Sequence, residues 1–414
     1  MSETFGHSTP RPYFDDPYTT TFETTVADER RDARGLWLAL AASWFYPTGG
    51  GQECDLGTLG RAAVVDVEED EAGRVWHLVS GSAPSVGERV VATIDAGRRQ
   101  GNRQQHTGQH VLSQAFERML GAITVSSRLG EFEGTIDLDR ADLTWDEVER
   151  VEEAANAVVF SDRPVQSIVV APGDLGQYPL RKPPKVDGPV RLIVVPGWDV
   201  SPCGGTHVTR TGEIGPIKVR RWEKWKGGVR VEFVCGLRAL ADYQDRTRAL
   251  VDAALRQHTS DRDVIDVLER AAGERALQAK QLRRLGEQLA LAEARSWGMS
   301  RAAAAIAGSP RGWARFVDER DPAALKALAT AAVAQGAPLV VVAAENPEPA
   351  LVVARPREAV GPDLKSFATE LRELAVGKGG GGADLLTIVA RDALALRAAY
   401  TRALELTGAT EDPA

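Results

Sequence analysis

The chain has 414 residues, a net charge of −8 and three cysteines. This length allows roughly two to four domains with substantial cores, and the negative net charge argues against a protein that coats nucleic acid indiscriminately. No segment approaches the roughly eighteen consecutive apolar residues of a membrane span, and no basic stretch followed by an apolar run marks a secretion signal. We therefore expect a cytoplasmic protein with no membrane partner, whose cysteines form no disulfide framework.

The N-terminal part of the chain predicts a flexible tail, residues 1–12, followed by a small β-barrel-like domain, residues 13–97. In the second range, short apolar runs such as AAVVDVEE and RVVATI alternate with turns that contain glycine and aspartate. This alternation is typical of antiparallel strands.

The segment WFYPTGGGQECDLG interrupts that pattern. Its consecutive glycines let the backbone approach a ligand closely, so Gly50 and Gly51 are candidate substrate-binding residues. Gln52 follows with a donor and an acceptor on one side chain and is a candidate catalytic residue. A plain hairpin turn is the alternative interpretation, and the neighbouring Cys54 has no assigned role.

The next unit, residues 98–236, begins with a predicted helix over residues 103–121 that carries two histidines. At about 100° per residue, the apolar side chains of this helix fall on one arc, and His106 and His110 fall on the opposite one. Histidines at i and i+4 share a helix face and can bind one metal ion. Alone, so short a pattern more often marks ordinary core or surface histidines.

Cys203 and His207, in SPCGGTHV, supply the other half of a metal-binding set. The glycines between them allow a tight turn. Cysteine thiolate and neutral histidine are the ligands that Zn²⁺ prefers, so we predict one zinc ion per chain, bound by these two residues together with His106 and His110. Three protein ligands plus water are typical of catalytic zinc and four of structural zinc, which leaves the role of the metal open at this point.

Around this set, helices alternate with mostly antiparallel strands, which predicts an α+β domain. The stretch from Ile217 to Arg230 in the last hairpin of this domain is strongly basic, with Glu223 as its one acidic residue and with Trp222 and Trp225 among the cations. Basic side chains among aromatic ones suit phosphates and stacked bases. An amphipathic hairpin with a solvated basic face is the alternative. The candidate nucleic-acid-binding residues are Lys218, Arg220, Arg221, Lys224, Lys226 and Arg230.

Two further regions follow. Glycine and proline nearly vanish over residues 237–300, where apolar residues recur three or four apart, which predicts a helical arm built as an antiparallel helix pair or a coiled coil. Residues 310–414 alternate helical and strand patterns and predict a compact α/β domain. Within it, GKGGGGAD at residues 377–384 lacks the spacing of an ATP-binding loop, which leaves a flexible connection or a phosphate-binding loop.

The motifs FYPTGGGQ, HTGQH, CGGTH and GKGGGG, taken in this order, resemble those of the free-standing alanyl-tRNA editing proteins of the long form, often called AlaX. They are also similar to the editing half of alanyl-tRNA synthetase, and the C-terminal region is similar to the domain known as DHHA1. The resemblance covers nearly the whole chain. It implies a multidomain α+β protein with a zinc-containing editing domain and a DHHA1-like C-terminal α/β domain.

The resemblance also implies residue roles. The four predicted ligands would be the zinc ligands of the family, and Gln52 would be the glutamine that borders the editing pocket, which makes Gln52, His106 and His110 the candidate catalytic residues. A hydroxyl residue on the strand after the metal helix would recognise a serine side chain. The candidates for this role are Thr124, Ser126 and Ser127.

The implied activity is zinc-dependent hydrolysis of the aminoacyl ester of tRNA(Ala) mischarged with serine, with glycine as a further candidate. A charging site for alanine rejects serine by no more than about a hundredfold, so a second, editing site is needed. Zinc would either lower the pKa of a water molecule towards about 7 or fix the substrate while Gln52 positions water. Too few residues precede residue 100 for an aminoacylation domain, so we expect deacylation alone.

Two other functional classes compete with this interpretation. A zinc-stabilised RNA-binding protein without activity would keep the metal set and the basic hairpin but would not need the Gly-Gly-Gln segment. A metal-dependent hydrolase of a small ester or amide would keep the site but would not need the basic hairpin or the helical arm. A homodimer through the arm or the C-terminal domain is compatible with all three.

Overall fold

The structure of the protein, a computed structural model, consists of two compact units whose boundary in the chain falls between Ala253 and Ala254. Both units combine helices and sheets, which confirms the predicted multidomain α+β class. The predicted start of the C-terminal domain, residue 310, lies outside the described residues. These are residues 9–183, 188–304, 312–317, 319–358 and 363–412.

Six strands near the N-terminus form a closed antiparallel barrel, as the alternating pattern predicts. They are β1 (Thr21–Asp32), β2 (Gly35–Leu40), β3 (Gly57–Leu59), β4 (Ala62–Glu69), β5 (Val75–Ser80) and β6 (Arg89–Ile94). Their order around the barrel is β1-β2-β5-β4-β3-β6. Buried and exposed side chains alternate along β6 because successive residues of a strand point to opposite sides.

Residues 9–12, predicted as the end of a flexible tail, pack against this barrel. Thr9 is buried: its backbone N–H donates to the carbonyl of Gly73 at 3.1 Å, and its hydroxyl accepts from the N–H of Val75 at 3.0 Å. These contacts join residues far apart in the chain, so the local pattern does not reveal them. Residues 1–8 of the predicted tail lie outside the described part of the chain.

The helix that carries the histidine pair, α1 (Ala96–Leu120), begins earlier than predicted. The apolar pattern did not reveal its first turns because they contain few apolar residues. Asp95 caps the N-terminus by accepting from the N–H of Arg98 at 2.9 Å. Gly121 ends the helix with a φ of 64°, a left-handed conformation that glycine adopts without strain.

Two sheets and a second helix surround α1. The elements are β7 (Thr124–Leu129), β8 (Gly134–Leu138), α2 (Trp145–Phe160), β9 (Gln166–Val170), β10 (Val190–Val195), β11 (Asp199–Pro202), β12 (Ile217–Trp225) and β13 (Gly228–Cys235). One sheet has the order β12-β13-β8-β7 and the other β11-β10-β9. The apolar arc of α1, the buried face of α2 and the inner face of the four-stranded sheet form a single hydrophobic core.

One glycine of the HTGQH motif serves this packing. A Cβ at Gly108 would lie 2.3 Å from the Sγ of Cys235, so α1 and β13 approach each other more closely than any side chain at Gly108 would allow. The glycine therefore brings the helix against the sheet.

The region predicted as a helical arm contains α3 (Gly236–Arg256) and α4 (Val264–Ala304). The division between the two units falls inside α3. At 1.5 Å per residue, the 41 residues of α4 span about 60 Å. Helical structure agrees with the spacing of apolar residues, whereas the pairing of the two helices stays a prediction.

Besides α4 and the end of α3, the described part of the second unit contains a six-stranded sheet and three helices, in agreement with the predicted α/β pattern. The elements are β14 (Trp313–Phe316), α5 (Pro322–Ala334), β15 (Val340–Ala344), β16 (Ala350–Ala354), α6 (Ala368–Leu374), β17 (Lys378–Gly381), β18 (Leu385–Val389), α7 (Ala393–Thr407) and β19 (Thr410–Glu411). The strand order is β17-β18-β16-β15-β14-β19. Every residue of β15 and β16 is buried.

The interpretation of GKGGGGAD as a flexible connection is wrong for residues 378–381, which form the edge strand β17, whereas phosphate binding by this segment stays a prediction. A Cβ at Gly379 would lie 2.2 Å from the carbonyl oxygen of Thr387, so glycine allows the two strands to pair. Composition alone does not distinguish such a strand from a loop.

Of the helices in the described ranges, not one combines the length and the apolar character that crossing a bilayer requires.

Candidate metal centre and adjoining cavity

The predicted ligands converge on one point. His106 and His110 project from α1, and Cys203 and His207 come from the turn after β11. The potential ligand atoms of the four side chains all lie within 4.8 Å of one another, so the group could hold a metal ion. The three histidines are buried, which keeps water from competing for them.

Gln52 fixes the orientation of His106. The Nδ1 of His106 donates to the Oε1 of Gln52 at 2.8 Å, and the backbone N–H of Thr206 donates to the same oxygen at 3.1 Å. The Nε2 of Gln52 donates to the hydroxyl of Thr206 at 3.0 Å. Gln52 is 1% exposed and both of its amide atoms are engaged, so its contacts indicate positioning of a metal ligand, whereas the positioning of water by Gln52 stays a prediction.

Asp199 has the corresponding role at His110. The Nδ1 of His110 lies 3.0 Å from one carboxylate oxygen of Asp199, and the other oxygen accepts from Arg181 at 3.1 Å and from the hydroxyl of Ser201 at 2.9 Å. A carboxylate behind a histidine holds the ring in place and leaves Nε2 for the metal.

His207 is held by a hydroxyl. Its Nδ1 donates to the Oγ1 of Thr107 at 3.1 Å, while the Oγ1 of Thr107 itself donates to the carbonyl of Arg103 at 2.9 Å. The Nε2 atoms of His207 and His106 lie 3.2 and 3.3 Å from the Sγ of Cys203. Each histidine thus uses Nδ1 for an outer partner, and this arrangement of three nitrogens and one sulfur fits tetrahedral zinc.

The turn that carries Cys203 depends on Gly205. A Cβ there would lie 2.1 Å from the Cε1 of His106, whereas Gly204 has no heavy atom within 4 Å of the corresponding position. Arg191 clamps the turn by donating to the carbonyl oxygens of Cys203 at 3.0 Å and Gly205 at 2.9 Å. Of the two glycines in CGGTH, only Gly205 is therefore required by close packing.

The electrostatics of the centre favour a cation. Burial acts to raise the pKa of the Cys203 thiol, but the charges of His106 and His207 and a hydrogen bond from His106 outweigh it and hold the pKa well below its usual value. Burial lowers the pKa of His207 to about 3. Burial also acts to lower the pKa of His110, but hydrogen bonds with Asp199 and Cys203 raise it to about 9. A thiolate, the form that binds metal, thus faces the imidazoles.

A cavity of about 150 Å³ adjoins the centre. Gly50, Thr124 and Ser127 line it together with His106, His110 and Cys203. The hydroxyl of Thr124 donates to Ser113 at 2.9 Å, and Gln109 donates to the same Ser113 oxygen at 2.7 Å, which forms a buried polar network at the wall of the cavity.

The third hydroxyl candidate, Ser126, does not line this cavity. Its side chain is exposed and donates to Asp137 at 2.5 Å. Ser126 and Ser127 point to opposite sides of β7 because side chains alternate along a strand.

Gly51 attaches the Gly-Gly-Gln segment to β7. Its φ is 86°, a Cβ would lie 2.8 Å from the carbonyl oxygen of Ser127, and its own carbonyl accepts from the N–H of Leu129 at 2.7 Å. The glycines therefore bring Gln52 within reach of His106, while Gly50 also borders the cavity.

The six cations of the basic hairpin are mostly paired with acidic residues from other elements. Lys218 contacts Glu152, Arg220 contacts Glu133, Glu232 and Asp242, Arg221 contacts Glu232, Lys224 contacts Asp142 and Arg230 contacts Asp137, whereas Lys226 lies over the ring of Trp225. The side chain of Lys224 remains 80% exposed and that of Arg221 70% exposed. Binding of nucleic acid by this hairpin stays a prediction.

The sequence-based interpretation missed Asp199, Thr107, Arg181 and Arg191. Asp199 had a usable signal, because it stands four residues before Cys203 on a strand that runs into the Cys-His turn. A carboxylate at that position is placed to support a histidine ligand. The other residues carry no local signal.

Comparisons with known proteins agree with this site. Residues 190–232 match the family model described as the threonyl and alanyl tRNA synthetase second additional domain. The chain is 32% identical to the alanyl-tRNA editing protein AlaX-L of Pyrococcus horikoshii over 246 residues. This alignment covers 58% of this chain and 61% of that protein.

Alanine–tRNA ligases are also similar to this chain. The ligase of Korarchaeum cryptofilum is 34% identical over 256 residues, which cover 58% of this chain and 28% of the ligase. The ligase of Pyrobaculum neutrophilum is 33% identical over 308 residues, which cover 68% of this chain and 33% of the ligase. The chain thus spans less than two thirds of each of these relatives. Together, the comparisons confirm the resemblance that the motifs predict: this chain is similar to the long-form alanyl-tRNA editing proteins and to alanine–tRNA ligases.

Proposed function

We propose that this chain is a trans-editing hydrolase that deacylates tRNA(Ala) mischarged with serine, without charging tRNA itself. One observation carries the proposal: three members of the metal-binding set, His106, His110 and Cys203, line the same small cavity as Thr124. The similarity to an alanyl-tRNA editing protein supports the same activity. Gly-tRNA(Ala) is a further candidate substrate.

The roles of the residues follow from their contacts. When bound, zinc supplies a Lewis acid beside the cavity, with His106, His110, Cys203 and His207 as its ligands. Gln52, Asp199 and Thr107 hold the three imidazoles in the orientation that presents Nε2. These side chains prepare the site before the substrate arrives, so little reorganisation is needed during hydrolysis.

Thr124 is our candidate for recognition of the serine hydroxyl, with Ser127 as the second candidate. Both line the cavity, whereas Ser126 is exposed and lies outside it. A site that hydrogen-bonds a substrate hydroxyl rejects the analogue that lacks it by roughly 10⁴ or more. We therefore expect Ser-tRNA(Ala) to be cleaved and Ala-tRNA(Ala) to be spared.

The basic hairpin and the second unit are assigned to tRNA binding. Lys218, Arg221 and Lys224 are more than half exposed and can reach phosphates. For the second unit we propose a DHHA1-like role in binding tRNA outside the reacting end, and for the exposed apolar residues of α4 we propose contact with a second copy of the chain.

The deciding experiment offers the purified protein three ligands: Ser-tRNA(Ala), a free seryl ester and uncharged tRNA(Ala). We expect rapid hydrolysis of Ser-tRNA(Ala), slow hydrolysis of the free ester and binding of uncharged tRNA. Binding without any hydrolysis would favour an inactive RNA-binding protein, and equally fast hydrolysis of the free ester would favour a small-ester hydrolase. Metal analysis of the same sample should give one zinc per chain, and active protein without zinc would contradict the assigned cofactor.

A further inference from the structure

A second concave surface, which we call the outer groove, lies on the exposed face of β7 and β8. It has a volume of about 500 Å³, and Ser126, Arg128, Phe132, Asp137 and Arg230 are among its lining residues. An irregularity of the β7–β8 pairing between Thr124 and Ser126 interrupts the alternation of side chains along β7, so Ser126 and Arg128 face this groove whereas Thr124 faces the metal cavity. The nucleic-acid interpretation of the basic hairpin does not account for this groove.

The outer groove presents a cation that no carboxylate in the described part of the chain neutralises. Its carboxylates are engaged by other arginines: Glu53 with Arg98 at 3.0 Å, Glu131 with the same Arg98 at 3.9 Å, Glu133 with Arg220 at 3.3 Å and Asp137 with Arg230 at 2.7 Å. Arg128 is exposed and, among the described residues, makes no ion pair. An anion in this groove would therefore meet a guanidinium that is not already neutralised.

The groove also presents an aromatic ring. Phe132 stands in the turn between β7 and β8 and is 74% exposed, so its ring contributes little to the core. A free aromatic face beside an arginine is the combination that binds unpaired nucleotides, because the base stacks on the ring and the phosphate contacts the cation.

The outer groove adjoins the metal cavity, with which it shares a lining residue. Ser127 lines both of them, and the Gly-Gly-Gln segment contributes Gly50 to the cavity and Glu53 to the groove. β7 is the edge strand of its sheet, and the Gly-Gly-Gln segment contacts it through the hydrogen bond from the N–H of Leu129 to the carbonyl of Gly51. The three residue steps from Ser127 to Gly130 span about 10 Å of extended chain, which is within the reach of a single nucleotide.

We propose that the outer groove binds the 3′-terminal nucleotide of the RNA, with the adenine base on Phe132 and its phosphate on Arg128. The inference rests on the proposed function in one respect: an aminoacyl ester held in the metal cavity is attached to the terminal ribose, so the terminal base is the first group that must lie outside the cavity. In the outer groove, Phe132 and Arg128 are the residues that would contact this terminal nucleotide.

The test uses uncharged tRNA(Ala), intact or lacking its 3′-terminal adenosine, and measures its affinity for the full chain. For the unmodified protein, removal of the adenosine should weaken binding about fivefold or more, as expected for one stacked base. Phe132→Ala should bind both RNAs equally, and Phe132→Trp should restore the difference. The control is Phe160→Ala, which removes another exposed ring (80%) at the end of α2 and should keep the difference.

Arg128 is tested through salt dependence. Arg128→Gln should reduce the slope of log affinity against log salt by about one, because one phosphate contact is lost. Arg61→Gln, which removes an exposed arginine on the barrel, should leave the slope unchanged.

Because uncharged tRNA is used, the result does not depend on hydrolysis. If Phe132→Ala keeps the full dependence on the terminal adenosine, or if the unmodified protein shows none, the assignment of the groove is overturned. If the dependence is found but Ser-tRNA(Ala) is not cleaved, the groove stands and the proposed hydrolytic function fails.

Discussion

The two long helices α1 and α4 distribute polar and apolar residues in opposite ways. Helix α1 buries most of its polar residues, including a run from Asn102 to His110, whereas α4 exposes every residue from 272 to 289, leucines among them. In α1 each of the three ligand or support residues His106, Thr107 and His110 has a partner for its polar atoms. In α4, Leu282 is 70% exposed.

The difference separates two kinds of functional signal. Burying a polar side chain costs free energy unless it is hydrogen-bonded, so a buried polar face marks a built site. An exposed apolar side chain costs little by itself, and a row of them marks a surface that a partner can cover. The role of α1 in metal binding can therefore be inferred from contacts within the chain, whereas the role of α4 depends on a partner.

The largest expected effect comes from removing a ligand. Cys203→Ala should abolish zinc binding and lower deacylation more than about a hundredfold, because the incomplete set no longer binds the ion tightly. Zinc content and the rate on Ser-tRNA(Ala) are measured together. The control is Cys54→Ala, a buried cysteine in the core of the barrel, which should keep zinc. An active, zinc-loaded Cys203→Ala protein would show that the polar face of α1 has another purpose.

A smaller effect is expected at the turn that faces α1. Gly205→Ala places a Cβ against the ring of His106 and should lower zinc affinity about 10- to 100-fold, the range found when the support of a metal ligand is disturbed. Gly204→Ala, where the space is open, is the matched control and should change affinity little. Competition with a zinc chelator measures both. Equal affinities would mean that the position of His106 tolerates displacement.

Selectivity should respond to the cavity wall next to α1. Thr124→Val keeps the shape of the side chain but removes its hydroxyl, so the preference for Ser-tRNA(Ala) over Gly-tRNA(Ala) should fall about tenfold, the effect of one lost hydrogen bond. The ratio of kcat/KM for the two substrates is the measurement. Ser126→Ala, outside the cavity, should leave the ratio unchanged. The opposite ranking of these two variants would assign recognition to Ser126.

The smallest effect on folding is expected in α4. Because Leu282 is 70% exposed, Leu282→Lys should change the free energy of unfolding by no more than about 0.5 kcal/mol. If α4 contacts a second copy, the same change should weaken self-association about tenfold or more, since a charge replaces an apolar contact. Sedimentation at several concentrations measures this, with Arg283→Ala as the exposed neighbour for control. A monomer at all concentrations would exclude the homodimer.

The sequence by itself determined the elements whose signals are local. The i, i+4 spacing placed His106 and His110 on one side of a helix, and alternating apolar runs identified the strands of the barrel. Cysteine and histidine around a glycine turn identified the second half of the metal set. These predictions succeeded because helix periodicity, strand alternation and ligand chemistry depend on neighbours in the chain.

Only the tertiary structure decided the roles that depend on distant partners. It placed Gln52 behind His106, separated Ser126 from the cavity and paired Arg230 with Asp137. It also turned residues 378–381, whose composition suggests a loop, into an edge strand. Each of these outcomes depends on contacts with residues that are distant in the sequence, and local periodicity carries no information about such contacts.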